Sequence, residues 1–193
     1  MSTLNIVLTT IVLLIVGGIL AYIFYSRQRT RNLKENYGPE YGRAVEEAGD
    51  RRKAEDTLEN RKRRIESFQM RDLGPDEQNY FLENWKNVQA DFINNPGNGV
   101  EEANRLIMEV MLACGYPMVS FDQRVDDLSV NSPEIVPNLR NAHSVAVKNR
   151  QANAGTEELR QAMANYKTVL EALLGRETNV ETGIRDGYVV DLL

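Results

Sequence analysis

Few side chains in this sequence have the types and spacing that catalytic or metal chemistry needs. The 193 residues include one histidine, His143, and one cysteine, Cys114. Zinc fingers, zinc ribbons, CxxC redox sites and intrachain disulfides need more cysteine or histidine side chains than this chain has, so the composition excludes them. Arg140 stands three residues before His143, where a di-iron bundle would need Glu. The nucleotide motifs G-x-x-x-x-G-K-[ST] and G-x-G-x-x-G are absent, and we predict no cofactor.

His143 is the one candidate for a general base. It falls on the apolar stripe of a predicted helix, which favours a packed, hydrogen-bonded histidine over a catalytic one. A catalytic role would need a partner, and the preceding loop offers Asp126, Asp127 and Tyr116. We predict no catalytic residue, but an enzyme with a site around His143 and Asp126 or Asp127 stays open as the alternative. Cys114 closes an apolar helix, which favours a small core residue over a reactive thiolate.

The segment SFDQRVDDLSV (120–130) crowds charge between apolar residues. Its charged members are Asp122, Arg124, Asp126 and Asp127. Two interpretations remain open: polar ties that dock the segment onto the domain, or a ridge that another protein recognises. These four residues are the predicted candidates for binding a partner.

The strongest pattern is an uncharged apolar segment at residues 4–25. At about 1.5 Å per residue, 20 helical residues cross a hydrocarbon core of about 30 Å. A cleaved signal peptide would have a basic start, a shorter apolar region and a small-x-small cleavage site. No Lys or Arg precedes this segment, and Ile19, Leu20 and Ala21 make a poor cleavage site. We therefore predict a retained transmembrane helix.

The residues after this segment predict its orientation. Four cations follow it: Arg27, Arg29, Arg31 and Lys34. By the positive-inside rule, the part of the chain after the span faces the cytoplasm and the N-terminus lies outside. The same cations are the predicted membrane-surface residues, and contact with anionic lipids makes lipid sensing a third hypothesis. Gly17 and Ala21 would let two spans approach closely, which is a minor argument for a homodimer.

Charge divides the rest of the chain into a basic and an acidic part. Residues 27–71 carry a net charge of +4, and residues 72–193 carry a net charge of −9. Nucleic acid is disfavoured as a partner of the acidic part, because phosphate neutralisation needs a basic face. A basic segment followed by an acidic body suits a protein held at an anionic membrane, since that surface repels the body.

Residues 26–71 are predicted to form a basic juxtamembrane segment and a helical stalk. One polar helix over Glu40–Phe68 would reach about 40 Å. Its apolar stripe is thin, but Leu58 and Ile65 lie a heptad apart, which permits a short coiled coil. Its basic and acidic residues are interleaved, which favours a solvated helix with i,i+4 ion pairs over a nucleic-acid surface.

Residues 72–175 show the apolar period of a helical bundle. The predicted elements are helices near 76–94, 100–114, 132–153 and 156–175, a turn at 94–99 and a short helical piece near 121–128. The helix near 132–153 either begins with Ser132 as N-cap or restarts at Pro137. Thr156 is the predicted N-cap of the last helix. The predicted fold class is all-α, with a transmembrane helix, a stalk and a four-to-five-helix bundle. Residues 176–193 are predicted to be a flexible tail whose apolar end is open to recognition.

Four segments also carry a resemblance: GPEYGRAVEEAGDRRKAE (38–55), GYPMVSFDQRVDDLSV (115–130), EIVPNLRNAHSVA (134–146) and TEELRQAMANYKTVLEALL (156–174). They resemble a family of small uncharacterised bacterial proteins that often have an N-terminal transmembrane helix and a helical domain. The resemblance implies a bacterial source and assigns no activity and no functional residue. We therefore expect a single-pass protein of the bacterial inner membrane, with a cytoplasmic domain that binds another protein.

Overall fold

The computed structural model describes residues 3–117 and 119–175, with side chains from residue 11 onward. The described residues contain α-helices, one 3₁₀ turn and no strand, which confirms the all-α prediction. The helices are α1 (Thr3–Tyr37), α2 (Pro39–Ala48), α3 (Arg51–Glu66), α4 (Pro75–Asn94), α5 (Pro96–Ala113), α6 (Phe121–Asn131), α7 (Val136–Arg150) and α8 (Thr156–Leu173). The predicted flexible tail at 176–193 lies outside the described residues.

The chain divides into two compact units. The N-terminal unit is Met1–Phe68 with Ser120–Val136, and the C-terminal unit is Gln69–Val119 with Pro137–Leu193. The predicted boundaries differ from this division, because the predicted bundle at 72–175 includes the segment that holds α6. Val125 and Leu128 on α6 are fully buried, so this helix contributes to the core of the N-terminal unit.

The first helix, α1, is one uninterrupted helix of 35 residues. Its apolar part is exposed, as Leu14 and Phe24 show with 71% of their surface accessible. Near its end, Leu33 and Tyr37 are instead buried in the core of the N-terminal unit. Within Ile11–Tyr37, α1 contains an apolar stretch long and hydrophobic enough to span a membrane, properties that a signal sequence can share. The helix is therefore a candidate membrane-spanning helix near the N-terminus.

The predicted single helix over Glu40–Phe68 is wrong, because the segment forms α2 and α3 with a sharp break between them. Gly49 ends α2 at φ +64°, a left-handed conformation that glycine adopts without steric cost. Asp50 then caps α3, and its carboxylate accepts a hydrogen bond from the Lys53 backbone N–H at 3.0 Å. The two helices pack against each other, so the segment is a folded pair and not an extended stalk.

The core of the N-terminal unit lies between α1, α2 and α3. Its buried apolar members are Leu33, Tyr37, Tyr41, Ala44, Ala54 and Leu58. Val130 from α6 packs against this cluster. The apolar residues of α2 and α3, although few, therefore form one side of a small core within this unit.

In the C-terminal unit, α5 packs against both α4 and α8. The predicted apolar faces are confirmed by the burial of Phe81, Trp85, Val88, Leu106, Ile107, Val110 and Met111. The predicted turn at 94–99 is wrong in extent, since Pro96 already begins α5 and Asn95 caps it. Gly99 lies against the backbone of Phe92, where a Cβ would come within 2.6 Å of the Phe92 Cα. Glycine is needed there because α4 and α5 meet without room for a side chain.

The starts of α7 and α8 also differ in detail from the prediction. A 3₁₀ turn at Pro133–Ile135 precedes α7, which begins at Val136. This agrees with the predicted restart near Pro137 and not with a start at residue 132. Gly155, not Thr156, is the N-cap of α8. The Glu158 carboxylate accepts a hydrogen bond from the Gly155 backbone N–H at 3.0 Å, which satisfies a donor at the helix start.

Candidate functional site

The four predicted membrane-surface cations lie on the last turns of α1, and Arg29 differs from the other three. Arg29 donates through Nε to Glu59 Oε1 at 2.6 Å and through Nη2 to Asp56 Oδ1 at 2.7 Å. Hydrogen bonds to Asp56 and Glu59 raise the pKa of Arg29 above its ordinary value. Arg29 therefore links α1 to α3 through these two ion pairs.

The remaining three cations are exposed. Arg27 lies on the surface of α1. Arg31 pairs with Glu35 of the same helix at 2.8 Å, a highly exposed contact of small energetic value. The Lys34 Nζ lies 5.5 Å from the centroid of the Tyr41 ring, a distance at which a cation is attracted to the ring face. These three residues keep the accessibility that a role at the membrane surface needs.

A buried carboxylate, Glu55, joins three helices of the N-terminal unit and was missed by the sequence analysis. Its Oε1 accepts hydrogen bonds from the Thr30 hydroxyl at 2.7 Å and from the Tyr41 hydroxyl at 3.0 Å. Only 2% of Glu55 is exposed. The interleaved charges around it suggested a solvated helix, and local sequence gives no signal that this one carboxylate turns inward.

The charged segment at 120–130 forms ion pairs with Arg61 and Arg64 of α3. Asp126 Oδ1 lies 2.8 Å from Arg61 Nη2. Asp127 lies 3.3 Å from Arg64 and accepts a hydrogen bond from Gln123 Nε2 at 3.2 Å. Burial raises the pKa of Asp127, while Arg64 and Gln123 oppose that shift.

These contacts separate the four candidate partner-binding residues. Asp127 is fully buried, so its side chain is not on the surface where a partner would touch it. Asp126 and Asp127 act as ties between α6 and α3. Asp122 is exposed, and Arg124 is half-buried with a pKa lowered by its burial. Of the four, Asp122 alone is exposed.

His143 lies in the C-terminal unit beside an amide. Its Nδ1 is 3.4 Å from Asn104 Oδ1, which also accepts a hydrogen bond from the Tyr166 hydroxyl at 3.0 Å. Burial raises the pKa of Tyr166, so this hydroxyl stays a donor near neutral pH. Asp126 and Asp127 belong to the other unit. The group around His143 therefore includes Asn104 and Tyr166, two residues that the sequence analysis did not connect with it.

Cys114 is buried at the end of α5. Its Sγ lies 3.9 Å from the Leu173 carbonyl oxygen. Burial raises the pKa of the thiol to about 11, so very little thiolate is present near neutral pH. Within residues 3–117 and 119–175, no group of three or more His, Cys, Asp or Glu side chains could hold a metal ion.

Each unit carries a surface groove. In the N-terminal unit, a groove of about 880 Å³ runs along α1 and α3 and reaches the residues at the end of α6; we call it the α1/α3 groove. In the C-terminal unit, a groove of about 470 Å³ between α4 and α5 is lined by amide and acidic side chains, among them Asn84, Asn87, Asp91, Glu102 and Glu109. Both volumes lie in the range of small-molecule sites.

Comparisons of the chain with protein-family models, with curated proteins and with solved structures found no match. The resemblance to a bacterial family therefore stays a prediction.

Proposed function

We propose that this protein is a single-pass protein of the bacterial inner membrane whose cytoplasmic part is a tethered module for binding another protein. The observation that carries the proposal is the continuity of α1. One helix passes from an exposed apolar length into the core of the N-terminal unit, where Leu33 and Tyr37 are buried. The candidate span and the folded unit therefore share a single structural element.

The exposed apolar surface of α1 supports insertion into lipid. The large apolar side chains exposed on this part of the helix are Ile11, Val12, Leu13, Leu14, Ile15, Val16, Ile19, Leu20, Ile23 and Phe24. Such a continuous apolar surface is costly in water and favourable in hydrocarbon. Tyr22 and Tyr25 lie at its polar end, where aromatic residues are enriched at membrane interfaces.

Tight attachment supports a role that depends on distance from the membrane. Tyr37 is 12 residues beyond Tyr25, which is about 18 Å along a helix. Its hydroxyl bonds the Leu58 carbonyl oxygen at 2.8 Å, and Arg29 is tied to α3 closer to the span. A unit held in this way stays near the bilayer and meets partners there, which is useful to a recruiting module.

The side chains best suited to catalysis support a non-enzymatic role. His143 contacts an amide oxygen, and Cys114 is buried with a raised pKa. Neither arrangement activates a nucleophile in the way that an adjacent base or a lowered pKa would. The exposed Asp122 is the best remaining point of contact with a partner on the N-terminal unit.

Membrane insertion is tested by alkaline carbonate extraction of native membranes combined with cysteine labelling. In a Cys114→Ser background, Ser2→Cys should react with a membrane-impermeant maleimide in intact spheroplasts. Glu46→Cys, at an exposed position of α2, should react only after lysis. Release of the chain by carbonate would contradict the anchor, and the reverse labelling pattern would contradict the orientation.

Partner binding is tested by crosslinking from Asp122 in the native membrane. A photoreactive residue at this position should capture a defined protein, and Asp122→Lys should reduce the yield of complex. Glu46→Lys is the matched charge reversal and should leave the yield unchanged. If His143→Ala alone reproduces the deletion phenotype while the protein stays folded, the enzyme alternative replaces the module.

A further inference from the structure

The α1/α3 groove starts at the residue where the apolar length of α1 ends. Tyr25, the last residue of that length, lines it, followed along α1 by Gln28 and Arg29. From α3 it receives Lys62 and Glu66, and Val130 closes it from α6. All of these residues belong to the N-terminal unit.

The depth of this groove follows from helix geometry. If the apolar length ends at the edge of the hydrocarbon core, Arg29 lies about 6 Å beyond that edge, at 1.5 Å per residue. The interfacial layer of each leaflet is about 5–8 Å thick. The start of the groove is therefore at the height of lipid headgroups, and its farther part projects toward the cytoplasm.

The lining combines apolar contacts with charges of both signs. Leu33 and Ile65 supply an apolar wall. Lys62 and Glu66 are exposed and lie one turn apart on α3, with their Cβ atoms about 6 Å apart. Arg29 already bonds Asp56 and Glu59, so Lys62 is the cation best placed to meet an external anion.

We propose that the α1/α3 groove binds the headgroup of an aminophospholipid from the surrounding leaflet. Lys62 pairs with the phosphate, and Glu66 accepts hydrogen bonds from the primary ammonium. The apolar wall contacts the glycerol backbone that links the phosphate to the acyl chains. This inference rests on the proposed membrane anchoring of α1. A zwitterionic ligand fits better than an anionic one because the two exposed charges of the groove are one cation and one anion.

Lipids that lack the primary ammonium are expected to bind the groove more weakly than an ethanolamine lipid. A choline headgroup carries the phosphate but has no N–H to donate to Glu66, so it should bind more weakly. A glycerol headgroup also carries the phosphate, but it offers Glu66 neutral hydroxyl donors in place of an ammonium, so it should bind more weakly as well. Selectivity for the primary ammonium therefore distinguishes the groove from general attraction of lipid to the basic end of α1.

The test uses the full chain in detergent micelles with equal amounts of phosphatidylethanolamine, phosphatidylcholine and phosphatidylglycerol, read out by native mass spectrometry. One ethanolamine lipid should be retained with a preference of about threefold or more over each of the others, the size expected for a few exposed charge contacts. Lys62→Gln should weaken retention of every phospholipid, and Glu66→Gln should remove the preference for the ammonium. The exposed Lys53→Gln and Glu46→Gln are matched controls.

Equal retention of the three lipids would overturn the proposal, as would a preference for the glycerol headgroup or equal effects of the control variants. Carbonate extraction of the same preparations before solubilisation separates this failure from failure of the anchor. A chain that resists extraction and shows no headgroup preference overturns the groove proposal alone. A chain that carbonate releases overturns both.

Discussion

The Tyr37 hydroxyl donates a hydrogen bond to the Leu58 carbonyl oxygen at 2.8 Å, joining the last turn of α1 to the middle of α3. Both residues are buried, with 2% and 0% of their surfaces exposed. Burial raises the pKa of Tyr37 to about 12, so the hydroxyl keeps its proton throughout the physiological range. The helix that contains the candidate span is thus joined to the folded unit by a hydrogen bond whose donor stays protonated near neutral pH.

Removing that donor should loosen the attachment. We expect Tyr37→Phe to lower the unfolding free energy of the N-terminal unit by about 1 kcal/mol, the usual net value of one such hydrogen bond. Hydrogen exchange of the α3 backbone amides measures the loss. Tyr80→Phe is the control, since Tyr80 is 60% exposed. Equal losses in both variants would show that the bond to Leu58 has no special role.

The break between α2 and α3 predicts opposite effects for two glycines with equally open surroundings. Neither Gly42 nor Gly49 has an atom within 4 Å of an added Cβ. Gly49→Ala should cost about 1 kcal/mol, because alanine is strained at φ +64°. Gly42→Ala, inside α2, should stabilise the helix by about 0.5–1 kcal/mol. Thermal unfolding of the two variants compares them, and equal shifts of one sign would contradict the left-handed cap.

Local periodicity explains why the C-terminal unit was largely predictable. The buried Phe81, Trp85 and Val88 follow the helical spacing of α4, and such a face is visible in sequence. The paired helices α2 and α3 were missed because their apolar stripe is thin. The neighbouring Gly49 and Asp50 were the available signal, since a C-terminal glycine followed by an N-cap aspartate is typical of a helix break.

Long-range polar contacts were beyond local reasoning. Arg64 and Asp127 are 63 positions apart, and each looked solvated or partner-binding in its own segment. Only the packing of α6 on α3 brings them together. The same limit applies to His143, because its neighbour Asn104, which is bonded to Tyr166, lies on another helix. Asp127 is buried because α6 packs on α3, and the spacing of charged residues within its own segment does not reveal this.

The buried Asp127 predicts how stability changes with pH. Its pKa is raised above the ordinary value of 3.8, chiefly by burial. The folded unit therefore holds this proton to higher pH than the unfolded chain does. The resulting stabilisation is complete below pH 3.8 and is lost as the pH rises through the folded-state pKa.

Asp127→Asn removes the titrating group and provides the comparison. The unfolding free energy of the natural chain minus that of Asp127→Asn should decrease as the pH is raised from about 3.5 to 7. Chemical denaturation at several pH values measures this difference. Asp122→Asn changes an exposed carboxylate of the same helix and serves as the control. An increase of the first difference with pH would show that the ion pair with Arg64 outweighs burial.

Cys114 predicts a large difference in thiol reactivity between the folded and the unfolded chain. A pKa of about 11, against an ordinary value of 9.0, leaves about a hundredfold less thiolate at pH 8. Limited access to the buried sulfur slows the reaction further. We expect slow labelling by an aromatic disulfide reagent in buffer and fast, stoichiometric labelling in guanidinium. In a Cys114→Ala background, the exposed Glu46→Cys thiol should react quickly in both conditions. Rapid labelling of Cys114 in the folded chain would mean that its sulfur is accessible and activated, and would restore it as a candidate nucleophile.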